Sequence, residues 1–415
     1  MSSSASPPRG IRALAGIVGP GIVVAATGVG AGDMVAAAKA GAAYGMPVLW
    51  TAAVGAILKF ALAEGVARWQ LATGSTLLEG WGARLGIVVQ ILFLAYLALW
   101  SLIVAAALMA ACGLATHALI PAIPVAVGGA FHGLAAFAFV WFEGYGRFET
   151  AMKIAAGTMF VAILGTAAVQ APPLAETLAG LTLPRVPAGS TLLLLGVVGG
   201  VGGTLTLLSY SYWMQEKGWE GAKWLPAVRF DLGVGYALTG VFGVALVSLA
   251  AGSLHPRGIA ISGSEGVLEM AQLLGARFGR PGELVFLVGF WGAVASSTLG
   301  VWQGVPYLFA DYVGMMRRRG APERPDTRGR LYRGWLTVLT VPPMTLLLLG
   351  KPVWLVVAYA ALGALFMPFL AATLLWLNNR RDLVGDLRNG PLANLALVAC
   401  LALFGYLAWT QLGRG

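Results

Sequence analysis

The sequence predicts an all-α polytopic membrane protein with about eleven transmembrane helices, and three observations predict it. Of 415 residues, 58% are hydrophobic and 11% are charged, whereas soluble globular chains carry roughly 25% charged residues. Apolar runs of about 20 residues, long enough to cross a bilayer, recur along the whole chain. Glycine and tryptophan, at 58 and 14 residues, are abundant in membrane proteins, tryptophan at the interfaces.

Taken in order, the candidate spans lie near 13–44, 47–67, 87–113, 122–142, 151–170, 191–214, 229–251, 283–312, 333–350, 353–377 and 391–411. Residues 1–12 read as a polar cytoplasmic tail without a cleavable signal, and 13–412 as one transmembrane domain. Long connections fall at 171–190, 252–282 and 313–332. The second of these contains "EGVLEMAQLLGARFG", apolar at helical spacing, which predicts a short external amphipathic helix capping the outer mouth.

The formal charge of +10 does not point to nucleic acid, because the basic residues gather in short segments between the spans. With the N-terminus inside, nineteen of the 27 Lys and Arg residues fall on the inner side and six on the outer, leaving Lys39 and Lys59 within spans. Cytoplasmic loops carry the Lys/Arg excess, so the N-terminus is predicted inside and the C-terminus outside a prokaryotic-type plasma membrane. Cys112 and Cys400 lie inside apolar runs and read as packing residues. His117, His132 and His255 are isolated, and no nucleotide loop, catalytic triad or clustered Cys/His pattern is present. The chain therefore does not read as an enzyme. It shows no cofactor motif and does not require an oligomer.

Two spans are interrupted by glycine. The first reads "ATGVGAGDMVAAAK" and the sixth "GVVGGVGGTLTLLSYSYW". A five-plus-five inverted repeat, with repeat one near 13–170, repeat two near 191–377 and an extra helix near 391–411, puts these spans in matching positions. Discontinuous helices so placed are the best sequence pointer to the binding site of a secondary transporter. Unwound backbone is tolerated in a membrane only where it is buried or lines a cavity. Glycines also serve close helix packing, which is the plainer account of either stretch alone.

Several stretches carry a family likeness. "GPGIVVA" opens the first span, "AGAAYGMPVLW" follows its break, and "ARWQLATGSTLLEGW" ends the second. "GGVGGT" lies in the sixth, "RFDLGVGYA" opens the seventh, and "ASSTLG" sits in the eighth. In this order and spacing, the chain resembles the Nramp divalent-metal transporters over almost its whole length. The resemblance implies a broken-helix inverted-repeat fold with alternating access around a midplane site. It also exposes departures. The family's Asp-Pro-Gly-Asn motif falls on Gly30, Ala31, Gly32 and Asp33, so the aspartate ligand is replaced by Gly30 and the asparagine ligand by Asp33. The family's Met-Pro-His falls on Thr206, Leu207 and Leu208. The alanine whose carbonyl helps bind metal corresponds to Gly203, and a tenth-helix glutamine to about Ala360. The third span, "SLIVAAALMAACG", lacks the family's acidic residues linked to proton movement.

What remains is an oxygen-only set: the Asp33 carboxylate, the hydroxyls of Thr27, Thr206 and Ser209, and backbone carbonyls at Gly30 and Gly203. Losing a thioether removes preference for soft metals, and oxygen ligation suits Mg²⁺ or Mn²⁺. Asp33 and Thr206 are the predicted metal ligands. Asp33 has a second reading, as a cap that stabilises the half-helix following it. Lys39 either snorkels outward or pairs with Glu64 or Asp311. Lys59, Glu64 and Gln303 read with Lys39 as an internal polar network, with Glu64 and Arg68 paired four residues apart. Asp311 is expected near the basic cluster 317–319. Tyr210 and Trp213 read as an interfacial belt, with an inner vestibule as the alternative. Ser296, Ser297 and Thr298 suit interhelical hydrogen bonds. The predicted partners are the bilayer and a transported ion or small solute. The predicted function is secondary transport with altered selectivity and doubtful proton coupling. The alternative keeps the fold and carries an organic solute such as an amino acid or amine.

Overall fold

In the computed structural model, residues 7–8, 10–170, 173–200, 202–259, 261, 265–317, 326–350 and 352–412 are described, and all regular structure among them is helical. After a short, mostly exposed α1 (Ile11–Ala15), the first long span is two helices, α2 (Pro20–Gly28) and α3 (Ala31–Tyr44), bent by 62° at the glycine break. Pro20 starts α2 at a position where a missing N–H costs nothing.

The next helix is α4 (Trp50–Thr73), ended by Gly74 in the left-handed conformation at φ 72. A brief α5 (Leu77–Arg84) follows. Its start is a reciprocal cap: Thr76 Oγ1 accepts the Glu79 N–H at 3.2 Å and Glu79 Oε2 accepts the Thr76 N–H at 2.9 Å. Then come α6 (Gly86–Leu119), α7 (Val125–Phe142), α8 (Tyr145–Gln170) and a short α9 (Leu174–Thr182) within the 171–190 connection.

The sixth span is broken as the sequence predicts. α10 (Thr191–Gly200) gives way to irregular backbone, a 3₁₀ turn at Leu205–Leu208 and α11 (Ser209–Glu216). α12 (Leu225–Ser253) and α13 (Glu265–Arg317) follow. α13 bends sharply at Gly279, whose φ of 74 suits only glycine. Its portion before the bend is the helix predicted in 252–282, and it buries Met270, Ala271 and Leu274. The chain closes with α14 (Arg330–Leu347), α15 (Pro352–Leu377), a single turn α16 (Arg381–Val384) and α17 (Pro391–Leu412). Among the described residues seven helices are long and apolar enough to cross a membrane, eight when the bent pair α2–α3 counts as one span. The molecule is thus a multi-pass helical membrane protein.

The centre of the bundle is α12, which packs on α2, α3, α4 and α8. Its crossings depend on missing side chains. A Cβ on Gly235 would fall 2.1 Å from the Gly21 carbonyl oxygen, and one on Gly41 would fall 2.3 Å from that of Val247. Small residues let membrane helices approach backbone to backbone, where packing and not the hydrophobic effect holds them. Cys112 and Cys400 are buried free thiols, as their apolar settings predict.

Candidate functional site

The two breaks touch. A Cβ on Gly28 would lie 2.5 Å from the Gly202 carbonyl carbon, and one on Gly203 would lie 3.1 Å from the Gly28 Cα. Gly202 and Gly203 adopt φ of 87 and 85, a left-handed run that side chains disfavour. The unwound segment of the sixth span is therefore seated on the end of α2.

The predicted ligands are dispersed around this contact. Gly30 is the N-cap of α3, and Asp33 stands three residues in, not at the cap. From there Asp33 Oδ2 reaches back and accepts the Gly30 N–H at 3.0 Å. This half of a capping box satisfies a donor that the break exposes. Oδ1 faces Gly200, where a Cβ would come within 2.9 Å of it. The Thr27 hydroxyl donates to Val23 O at 2.7 Å within its own helix, and it packs directly against Gly300 of α13. Thr206 is buried in the 3₁₀ turn with its hydroxyl beside Gly203. Ser209 Oγ is buried without a hydrogen-bond partner among the described residues and packs on Gly304.

Three carbonyls at the breaks, expected from the sequence to be free, are already engaged. Ser296 Oγ donates to Ala26 O at 3.2 Å and Ser297 Oγ to Thr27 O at 2.8 Å. These are among the last carbonyls of α2, which a broken helix leaves without intrahelical partners. At the other break, Lys59 Nζ donates to Gly203 O. Lys59 comes from α4, is fully buried, and sits 5.5 Å from the Phe404 ring centroid.

The four residues read as one polar network are separate. Lys39 is exposed near the end of α3. Glu64 pairs with Arg68 at 2.7 Å, as its spacing predicts, and also with Arg229 at 2.8 Å. Gln303 Oε1 accepts the Trp213 indole N–H at 2.5 Å, beside a polar cavity of about 200 Å³ that includes Tyr145, Glu216, Tyr307 and Tyr332. Helical periodicity places each residue along its span but not around it, because both faces of these spans are apolar. One further expectation changes for the same reason. Tyr210 and Trp213 are buried inside the bundle and do not form an interfacial belt. Asp311 accepts from Thr76 Oγ1 and Tyr212 OH, each at 2.7 Å. Residues 318–319 and the Ala360 side chain lie outside the described residues.

Sequence reasoning missed several neighbours of the site: Phe404 beside Lys59, Tyr236 beside Gly202, and Tyr359. Tyr359 of α15 lies near enough to Asp33 to feel its charge. The only signal was that it adjoins the position assigned to the family's tenth-helix glutamine.

The end of the bundle where α2 begins, and where the basic connections lie, is tied together by polar contacts. Asp231 Oδ1 accepts the Gly19 N–H at 2.9 Å, and Oδ2 accepts the Gly21 N–H at 2.6 Å and Tyr210 OH at 2.8 Å. Lys217 reaches Glu149 at 3.2 Å, and Tyr307 donates to Glu216. Towards the opposite end, Gly32, Asp33 and Ala36 are half-buried and Lys39 is exposed, at helical spacing, with Gly196, Gly199 and Gly200 half-buried on α10. Among the described residues, the half-buried and exposed positions beside Asp33 lie on that side.

Two broken spans seated on each other, with a carboxylate and a buried ammonium at the seam, define a broken-helix membrane transporter. The chain belongs to the Nramp family: the model for "Natural resistance-associated macrophage protein-like" proteins matches residues 21–412. A divalent metal cation transporter, MntH, of Erwinia tasmaniensis is 23% identical over 98% of each chain. An uncharacterized membrane protein, YcsG, of Bacillus subtilis is 26% identical over 67% of this chain and 66% of that protein, just under two thirds of its length. The manganese transporter of Eremococcus coleocola superposes with a TM-score of 0.77 at 16% identity, over 98% of this chain and 89% of that one. MhsT in complex with L-phenylalanine has a TM-score of 0.54 at 14% identity, covering 92% and 98%.

Proposed function

We propose that this protein carries a hard divalent cation, Mg²⁺ or Mn²⁺, across a prokaryotic plasma membrane, binding it between Asp33 and the second break. The observation that carries the reading is the free edge of Asp33. Its Oδ2 caps α3 while Oδ1 faces Gly200, itself half-buried. Thr206 and the Gly203 carbonyl, on the facing break, are the remaining ligands in this reading, with hydration water completing an oxygen shell. The spans would form two inverted five-helix repeats with α17 added, the N-terminus inside and the C-terminus outside. No part of the reading involves catalysis, a resident cofactor or a second copy of the chain.

A carboxylate-bearing organic solute is the weaker reading. Half-helix N-termini bind such groups in transporters of this kind. Here Asp33 already accepts at the α3 N-terminus, so a second carboxylate would meet like charge. Protein in liposomes, assayed for Mn²⁺ and Mg²⁺ flux beside Asp33→Ala, tests the proposal. Flux by the parent that is lost in the variant is the expected result. Absence of flux for both ions overturns the function, and flux unchanged by Asp33→Ala overturns the site.

A further inference from the structure

Lys59 is a buried cation with no carboxylate in direct contact among the described residues. Its Nζ is held by the Gly203 carbonyl and the face of Phe404, and Asp33 acts on it through space. The root of its side chain adjoins the break: a Cβ on Gly202 would lie 3.4 Å from the Lys59 Cβ. Burying an ammonium is costly unless oxygen atoms or charges replace its water. Here the replacement includes the break carbonyl assigned to the cargo.

We propose that Lys59 is a tethered competitor of the transported ion. Its ammonium holds the Gly203 carbonyl while the site is empty, and a divalent cation gains that oxygen only as the ammonium withdraws. This deepens the divalent-cation reading and rests on it. The reason is charge. Asp33 and Lys59 together leave the seam near neutrality. A divalent ion on the same oxygen would stand beside a like charge in a low-dielectric setting, where such repulsion is strong. Four methylenes let the ammonium move without moving α4. Lys59 therefore lowers the affinity for cargo and keeps the break from collapsing when no cargo is present.

The test is Mn²⁺ binding by full-length protein in nanodiscs, read from the free-ion electron paramagnetic resonance signal. Lys59→Gln keeps a neutral donor for Gly203, Lys59→Met keeps the apolar stem, and Lys59→Arg keeps the charge. Tenfold or tighter binding in the Gln and Met variants, without a gain in the Arg variant, is the expected result. Unchanged or weaker binding in the Gln and Met variants, with Asp33→Ala still abolishing binding, overturns the competition and leaves the cation reading intact. No binding by the parent or by any folded Lys59 variant overturns both. Should the variants fail to fold, lysine ¹⁵Nζ resonances of the parent decide. A shifted Lys59 signal at saturating Mg²⁺ supports displacement, and an unmoved signal overturns it.

Discussion

Gly28 rests on Gly202 so closely that a Cβ on the former would fall 2.5 Å from the carbonyl carbon of the latter. The contact is backbone on backbone, so neither side has a flexible group that could give way. It holds the first and sixth spans in register where α2 ends and the sixth span is unwound.

Gly28→Ala should therefore force the breaks apart. Overpacking a tight site costs about 1–3 kcal/mol, and here the clash falls on the seam itself. A lowered Tm in detergent, with flux reduced more than tenfold, is the expected outcome. Gly196→Ala, where a Cβ meets nothing within 4 Å, is the matched control and should leave both unchanged.

Asp231→Asn keeps the size of the side chain but replaces one acceptor oxygen with a donor. Three donors converge on Asp231, from Gly19, Gly21 and Tyr210. A buried donor left unsatisfied costs about 1–3 kcal/mol. Hydrogen exchange of residues 19–28 should accelerate, while the core of α12 remains protected. Unchanged protection of that segment would show that α2 is held by other contacts.

Glu64 separates a buried cation from an accessible one. Its partner Arg68 is 2% exposed, whereas Arg229 is 52% exposed. Glu64→Gln strands Arg68 and should cost ~3–5 kcal/mol, as breaking a buried pair does. Arg229→Gln removes a partly solvated partner and should cost about 1 kcal/mol or less. Thermal unfolding of the two variants side by side measures the difference.

The two native cysteines are buried, so introduced cysteines report orientation against a quiet background. Arg147, 76% exposed by its side chain, lies at the basic end, and Val186, 59% exposed, lies in the connection before α10. A membrane-impermeant maleimide on intact cells should label Val186→Cys, and should label Arg147→Cys only after permeabilisation. The reverse pattern would invert the topology.

The broken spans were legible because glycine runs and apolar length are linear features of the sequence. The rotational setting of each side chain was not. Lys59, Glu64 and Gln303 lie on spans that are apolar on every face, so no period marks which side is interior. Asp33 was recognised as helix-stabilising, but its position three residues into α3 depends on Gly30 serving as the cap, which glycine does through its backbone. The partners of the α2 carbonyls, Ser296 and Ser297, were expected to bridge helices, yet nothing in the sequence says which helix. Tyr359 came into view only through packing.

Asp231 binds the start of α2 through two backbone N–H groups and α11 through Tyr210. A single anchoring carboxylate makes the release of these two segments a joint event. Unlatching of the basic end should then follow one relaxation rate, with no long-lived species in which only one half-helix has moved.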